Sequence, residues 1–157
     1  ILIDGTASAG ISLSAKAFLE GPYKTANGLM ADSLRSNGLI PLTEPYTALG
    51  FDMAGGGGET TTSGVFTTAG NDAIVDWVLV ELRSTADPTV IVATRAGLLQ
   101  RDGDIVDVDG SSSLSFPLPN GNYQVAVRHR NHFGCMTADA VALSNSPAVV
   151  DLSLIHI

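Results

Sequence analysis

Apolar and polar residues alternate with period two along much of this chain. Ile11, Leu13, Ala15, Ala17 and Leu19 fall on one side of a segment whose other side carries Ser12, Ser14 and Lys16. That pattern predicts a β-strand with one buried face, ended by Glu20-Gly21-Pro22. Residues 73–83 are apolar on both sides, with Ile74, Val78, Val80 and Leu82 on one face and Val75, Trp77 and Leu79 on the other. A strand of that kind is expected at the centre of its sheet. Residues 89–94 are β-branched and read as a strand. Residues 98–101 and 104–108 read as a hairpin closed by Asp102-Gly103, a pair suited to a type I′ turn. Residues 114–116 start a short strand. Residues 123–132 read as one strand, with Tyr123, Val125, Val127 and His129 on one face and Gln124, Ala126, Arg128, Arg130 and His132 on the other. Residues 141–143 and 149–152 are the last short strands.

Between the first strand and the central one the alternation fails. Leu29, Met30 and Leu34 ahead of Asn37-Gly38 predict one short helix near residues 29–36. Pro41 and Pro45 impose extended or turn conformations. Residues 55–58 are four glycines, followed by Glu59 and a threonine-rich stretch, and read as a flexible surface loop anchored by Val65-Phe66. Short strands separated by turn residues predict an all-β fold, a β-sandwich of Ig-like or jelly-roll-like kind with long loops. At 157 residues the chain is one domain. Its expected organisation is a linker or the end of a preceding segment over 1–10, the module over 11–151 and a non-native tail over 152–157. The absent initiator Met suggests an internal piece of a longer protein.

Composition narrows the partners. Charged residues make up 15%, against an average of about 25%. The net charge of −8 repels phosphate backbones and anionic membranes, and no basic tract offsets it. Nucleic acid and membrane insertion are therefore not expected, and no apolar run is long enough to span a bilayer. A single cysteine, Cys135, excludes an intradomain disulfide.

Four groups of residues carry candidate chemistry. In Arg128-His129-Arg130-Asn131-His132, two histidines at i and i+3 on one strand point to opposite faces, which disfavours a metal site. His129 reads as a hydrogen-bonded core histidine. Arg128 and Arg130 read as partners of carboxylates such as Glu81 or Asp76, or as a ligand-holding face. Asp102, Asp104, Asp107 and Asp109 are weak calcium candidates, because their spacing is not that of an EF-hand and alternation splits them between faces. Tyr23 and Tyr46, in proline-flanked loops, are placed to touch a ligand, whereas Trp77 is assigned to the core. No Gly-x-Ser-x-Gly elbow or phosphate loop occurs, and Cys135 reads as a packed thiol. No catalytic residue, metal or cofactor is expected.

Residues 13–23, Gly28-Leu29-Met30, residues 38–46, 74–83 and 123–132, in that order, resemble a module of large secreted or cell-surface proteins of Bacteroidetes. Those proteins are adhesin- or haemagglutinin-like, and the module often precedes dockerin-like calcium repeats and a C-terminal sorting domain. The resemblance covers residues 11–151. It implies an extracellular location, a β-sandwich and a non-catalytic structural or adhesive module whose partners are other domains of the same chain, and a glycan or surface protein. The alternatives are a carbohydrate-binding module serving an attached enzyme and a fragment of a secreted hydrolase. Residues 152–157 depart from the pattern and resemble translated adapter read-through; the other reading is a last strand paired with Val149-Val150.

Overall fold

The computed structural model describes residues 10–156, with side chains through residue 153. The fold is all-β. Its elements are β1 (Ile11–Phe18), β2 (Tyr23–Lys24), β3 (Leu29–Met30), α1 (Ser33–Ser36), β4 (Ile74–Arg83), β5 (Ile91–Gln100), β6 (Asp104–Val106), β7 (Leu114–Phe116), β8 (Gly121–His129), β9 (His132–Met136), β10 (Val141–Leu143) and β11 (Ala148–His156), with two short 3-10 turns ahead of β4. Nine strands form one sheet in the order β10-β8-β4-β5-β6-β1-β11, with β7 also on β1 and β9 also on β8. β2 and β3 form a small second sheet. All pairings are antiparallel except β1 with β11.

The sheet curls over itself. β1 and β8 have three strands between them in the sheet, yet Ile11 and Leu13 share one core with Val125, Val127 and Leu143. The edges approach at one end, where the Ser12 amide donates to the Ser144 carbonyl at 2.7 Å, but the sheet does not close into a barrel. The period-two pattern of β1 is realised fully: every second residue from Ile11 is buried. Each such Leu or Ile contributes roughly 1.5–3 kcal/mol.

The outer face of β4 and β5 carries a second core. Trp77, Leu79, Ala96 and Leu98 lie there under Ile40 and Tyr46, with Leu34, Phe51, Met53, Val65 and Phe66 around them. Residues 34–66 thus form a cover that is almost entirely irregular; its internal pairing is a lone bridge between Thr43 and Thr60. The glycine stretch is held rather than loose. Gly58 donates to Glu44 at 2.8 Å, and Thr94 of β5 donates to the Ala54 carbonyl at 2.8 Å. A Cβ at Gly56 would lie 2.2 Å from the Thr94 carbonyl oxygen, so the chain can approach β5 there only as glycine.

Several local expectations change. Register shifts between Ile74 and Asp76. This bulge sends Ile74 to the cover side with Trp77, and Val75 to the sandwich interior with Val78, the reverse of strict alternation. Residues 91–100 form one strand. The turn after it is not type I′, since among the described residues no non-glycine residue has positive φ; Gly103 adopts φ +94° after a Gln100–Gly103 turn, the three-residue alternative. Residues 123–132 are broken by a turn at Arg130-Asn131 into β8 and β9. The helix is confined to Ser33–Ser36, and Leu29-Met30 are extended. β11 runs through residues 152–156 and pairs with β1, one-to-one from Leu13/Ala148 to Lys16/Asp151, before the register jumps to Phe18/His156. The side chain of His156 and residues 1–9 lie outside the described part.

Candidate functional site: the Asp76–His129–His132 chain and its cleft

The bulge in β4 and the turn between β8 and β9 together build a chain of three titratable groups. Asp76 follows the bulge. His129 ends β8 and His132 begins β9, so the two-residue turn makes them direct cross-strand partners. Residues that a single strand would send to opposite faces meet ring to ring, with centroids 4.7 Å apart.

The Asp76 carboxylate is buried. It accepts from the Trp77 amide at 2.8 Å, from the Arg130 guanidinium at 2.9 and 2.7 Å, and faces His129 Nε2 at 3.1 Å. His129 Nδ1 accepts from the Asn131 amide at 3.2 Å. A backbone N–H only donates, so the His129 proton sits on Nε2, toward the carboxylate. The 2.8 Å contact between the two Nδ1 atoms then carries the His132 proton. It follows that Nε2 of neutral His132 is bare. His132 is half-buried and lines a cleft of about 290 Å³ with Asp76, His129, Lys24, Leu19, Leu34 and Asn131.

Burial works to raise the Asp76 pKa, but the bonds from His129 and Arg130 and the Arg130 charge outweigh it and hold the carboxyl below its ordinary range. His132 is pushed down, first by burial and then by His129, against the opposing pull of Asp76. The chain therefore presents one neutral imidazole nitrogen to the cleft, connected through His129 to a buried carboxylate. It can accept a hydrogen bond or a proton. Among the described residues no group of three or more His, Cys, Asp or Glu is placed to hold a metal.

The other singled-out residues are engaged within the fold. Tyr46 is no surface residue: it is fully buried and its hydroxyl donates to the Trp77 carbonyl at 2.7 Å. Burial raises its phenol well above the ordinary value. Trp77 is fully buried and donates through Nε1 to the Pro41 carbonyl at 2.8 Å. Tyr23 is half-buried against Phe18, ring centroids 4.6 Å apart. Arg128 lies 3.3 Å from Glu81 and over the Phe51 ring, and Arg130 lies 2.7 Å from Asp76. The four aspartates do not converge. Asp104 pairs with Lys16 at 2.9 Å, Asp107 with Arg95 at 2.6 Å, Asp102 accepts from the Asp104 amide, and Asp109 accepts from Ser111 and Ser112. Burial raises the Cys135 thiol pKa, which leaves it unactivated.

Sequence reasoning missed two arrangements. One is the histidine contact, for which Asn131, a turn former between the two histidines, was the available signal. The other is Glu44, a buried carboxylate accepting from the amides of Tyr46, Thr47 and Gly58 at 2.6, 3.1 and 2.8 Å and from the Thr47 hydroxyl. No local pattern marks it. No protein-family model, no curated protein and no solved structure matches this chain.

Proposed function

We propose that the chain is a non-catalytic structural module of a multidomain extracellular surface protein, of adhesive kind, that transmits force between neighbouring domains of its own chain. The observation that carries this reading is the parallel pairing of the first and last described strands, β1 with β11. In a parallel pair, tension entering before Ile11 and leaving beyond Asp151 acts along the strands in opposite directions. It loads the ladder between Leu13/Ala148 and Lys16/Asp151 in shear, all bonds together. An antiparallel pair pulled from one end opens bond by bond instead. The location and the adhesive setting come from the family resemblance. The burial of Trp77 and Tyr46 also supports a structural role over saccharide binding, which needs exposed aromatic platforms.

Single-molecule pulling tests the reading on a Cys135→Ser background. Handles at residues 10 and 152 load β1–β11 in shear, whereas handles at residues 10 and 118 open β1 from β7 as a zipper. The first geometry is expected to require clearly higher force; equal forces would overturn the proposal. Retention of a polysaccharide, lost in Phe133→Ala at the exposed β9 side chain, would install the carbohydrate-binding alternative. Turnover of ester or glycoside substrates would install the hydrolase.

A further inference from the structure

We propose that the cleft beside His132 is a binding site for a small carboxylate with a short apolar body, and that binding takes up one proton at His132 Nε2. This goes beyond the structural role and does not depend on it.

The argument begins with the direction in which the histidine chain is set. Asn131 fixes His129 as an acceptor at Nδ1, and His132 must donate to it. A proton arriving at His132 can therefore enter only at Nε2, on the side facing the cleft. It does so without breaking any bond in the chain. The resulting imidazolium keeps its Nδ1–H bond to His129, whose Nε2–H already points at Asp76. The carboxylate thus reaches the new charge through an intervening ring. No other tautomer of the pair satisfies the Asn131 amide.

The surroundings select the ligand. Lys24, Asn131, Asp76 and His129 line the same cleft, and its apolar walls are Leu19, Pro22, Ala31, Leu34 and Val75. A cationic ligand would meet Lys24, and the one carboxylate in the lining, Asp76, is already paired with Arg130 at 2.7 Å. A hydrocarbon would leave the bare nitrogen unbonded. A carboxylate meets Lys24 and, once protonated, His132, while its apolar body covers the walls. The charged and titratable groups acting on His132 are His129 from β8, Asp76 from β4 and Arg130 from the turn, and Lys24 of β2 lines the same cleft. Asp76 is shared with Arg130, so its charge is largely balanced in the empty cleft. Burial keeps His132 neutral there. An incoming anion changes that balance and draws the proton in. The transfer is simple: a proton from solvent bonds to Nε2, and the ligand remains a carboxylate.

Butyrate is the probe. Calorimetry in buffers of different ionisation enthalpy is expected to show uptake of about one proton near neutral pH. The dissociation constant is expected to rise about tenfold per pH unit above about pH 7, as one-proton linkage requires. His132→Gln keeps an amide donor for His129 and is expected to abolish both the uptake and the pH slope. Lys24→Gln, at an exposed residue, is expected to weaken binding about two- to fivefold and keep the slope. Nitrogen NMR of the wild-type rings reads the site directly: butyrate is expected to shift His132 Nε2 to the protonated range and leave His129 Nδ1 an acceptor. No butyrate binding, binding without proton uptake, or an unchanged slope in a folded His132→Gln protein would overturn the proposal.

Discussion

The two faces of β4 are both fully buried, and by different means. The inner face, with Val78, Val80 and Leu82, meets alternating residues of β1, β8 and β10 in a core built from sheet. The outer face, with Trp77 and Leu79, meets residues 34–66, which contain almost no regular structure. On the inner side the backbone satisfies its polar groups through strand ladders. On the outer side scattered turn and loop bonds, such as Glu44 to Glu59 and Thr61 to Leu42, share that work with individual side chains. Glu44 receives three amides, Trp77 Nε1 meets the Pro41 carbonyl, and Tyr46 meets the Trp77 carbonyl. A sheet core therefore tolerates loss of one side chain as lost packing, whereas the cover depends on a few named polar contacts.

Deleting matched side chains on the two faces separates these modes. Trp77→Ala is expected to cost about 3–5 kcal/mol in urea unfolding. Leu79→Ala and Leu82→Ala remove the same group from opposite faces of one strand, each at about 2–5 kcal/mol. Their hydrogen-exchange patterns are expected to differ. Leu79→Ala loses protection chiefly at cover amides such as Tyr46 and Thr61, and Leu82→Ala across the sheet. Identical exchange maps would show that the cover and the sheet unfold as one unit.

Glu44→Gln tests the polar side of the contrast. Hydrogen bonds to a charged acceptor contribute about 1.5–3 kcal/mol, so a loss of that order is expected without any change in apolar burial. Burial opposes ionisation of Glu44, but the Thr47 hydroxyl and the amides of Gly58, Thr47 and Tyr46 bring its pKa below the ordinary 4.5. A depressed carboxylate pKa stabilises the fold above the ordinary value and loses that contribution as pH falls through the folded one. Asp76 behaves likewise. Acid unfolding below about pH 4 is expected to expose the cover first, and Glu44→Gln to flatten that limb.

Tyr46→Phe is smaller, about 1 kcal/mol, for one hydroxyl bond. The smallest effect concerns His132. Its folded pKa lies below the ordinary 6.5, so the unfolded chain binds the proton more readily. Stability is therefore complete above about pH 6.5 and declines gently as pH falls below it. Melting temperatures are expected to carry this shoulder, and His132→Gln to remove it.

The pairing of Arg128 with Glu81 and of Arg130 with Asp76 was legible, because charged residues on adjacent strands need opposite partners. Tyr46 was not. Preceded by Pro45 and followed within four residues by Gly50, it has the local signature of a loop, and its burial depends on Trp77, thirty-one residues away. The histidine contact was half legible. Its residues were named, but the turn at Arg130-Asn131 that joins them was hidden inside an apparently continuous strand.

What the sequence by itself determined is the all-β character, the strand at the centre of the sheet and the single-sided burial of β1. Period-two alternation is a property of each strand alone, and it survives whatever the strand is packed against. Only the tertiary structure decided that a glycine- and threonine-rich stretch becomes the roof of a second core, that β1 pairs with β11 in parallel, and that Asp76, His129 and His132 form one chain. Each of these depends on where two distant segments meet. That meeting is set by the curl of the sheet and by a one-residue bulge, features whose energies are spread over many residues and leave no periodic trace in any one of them.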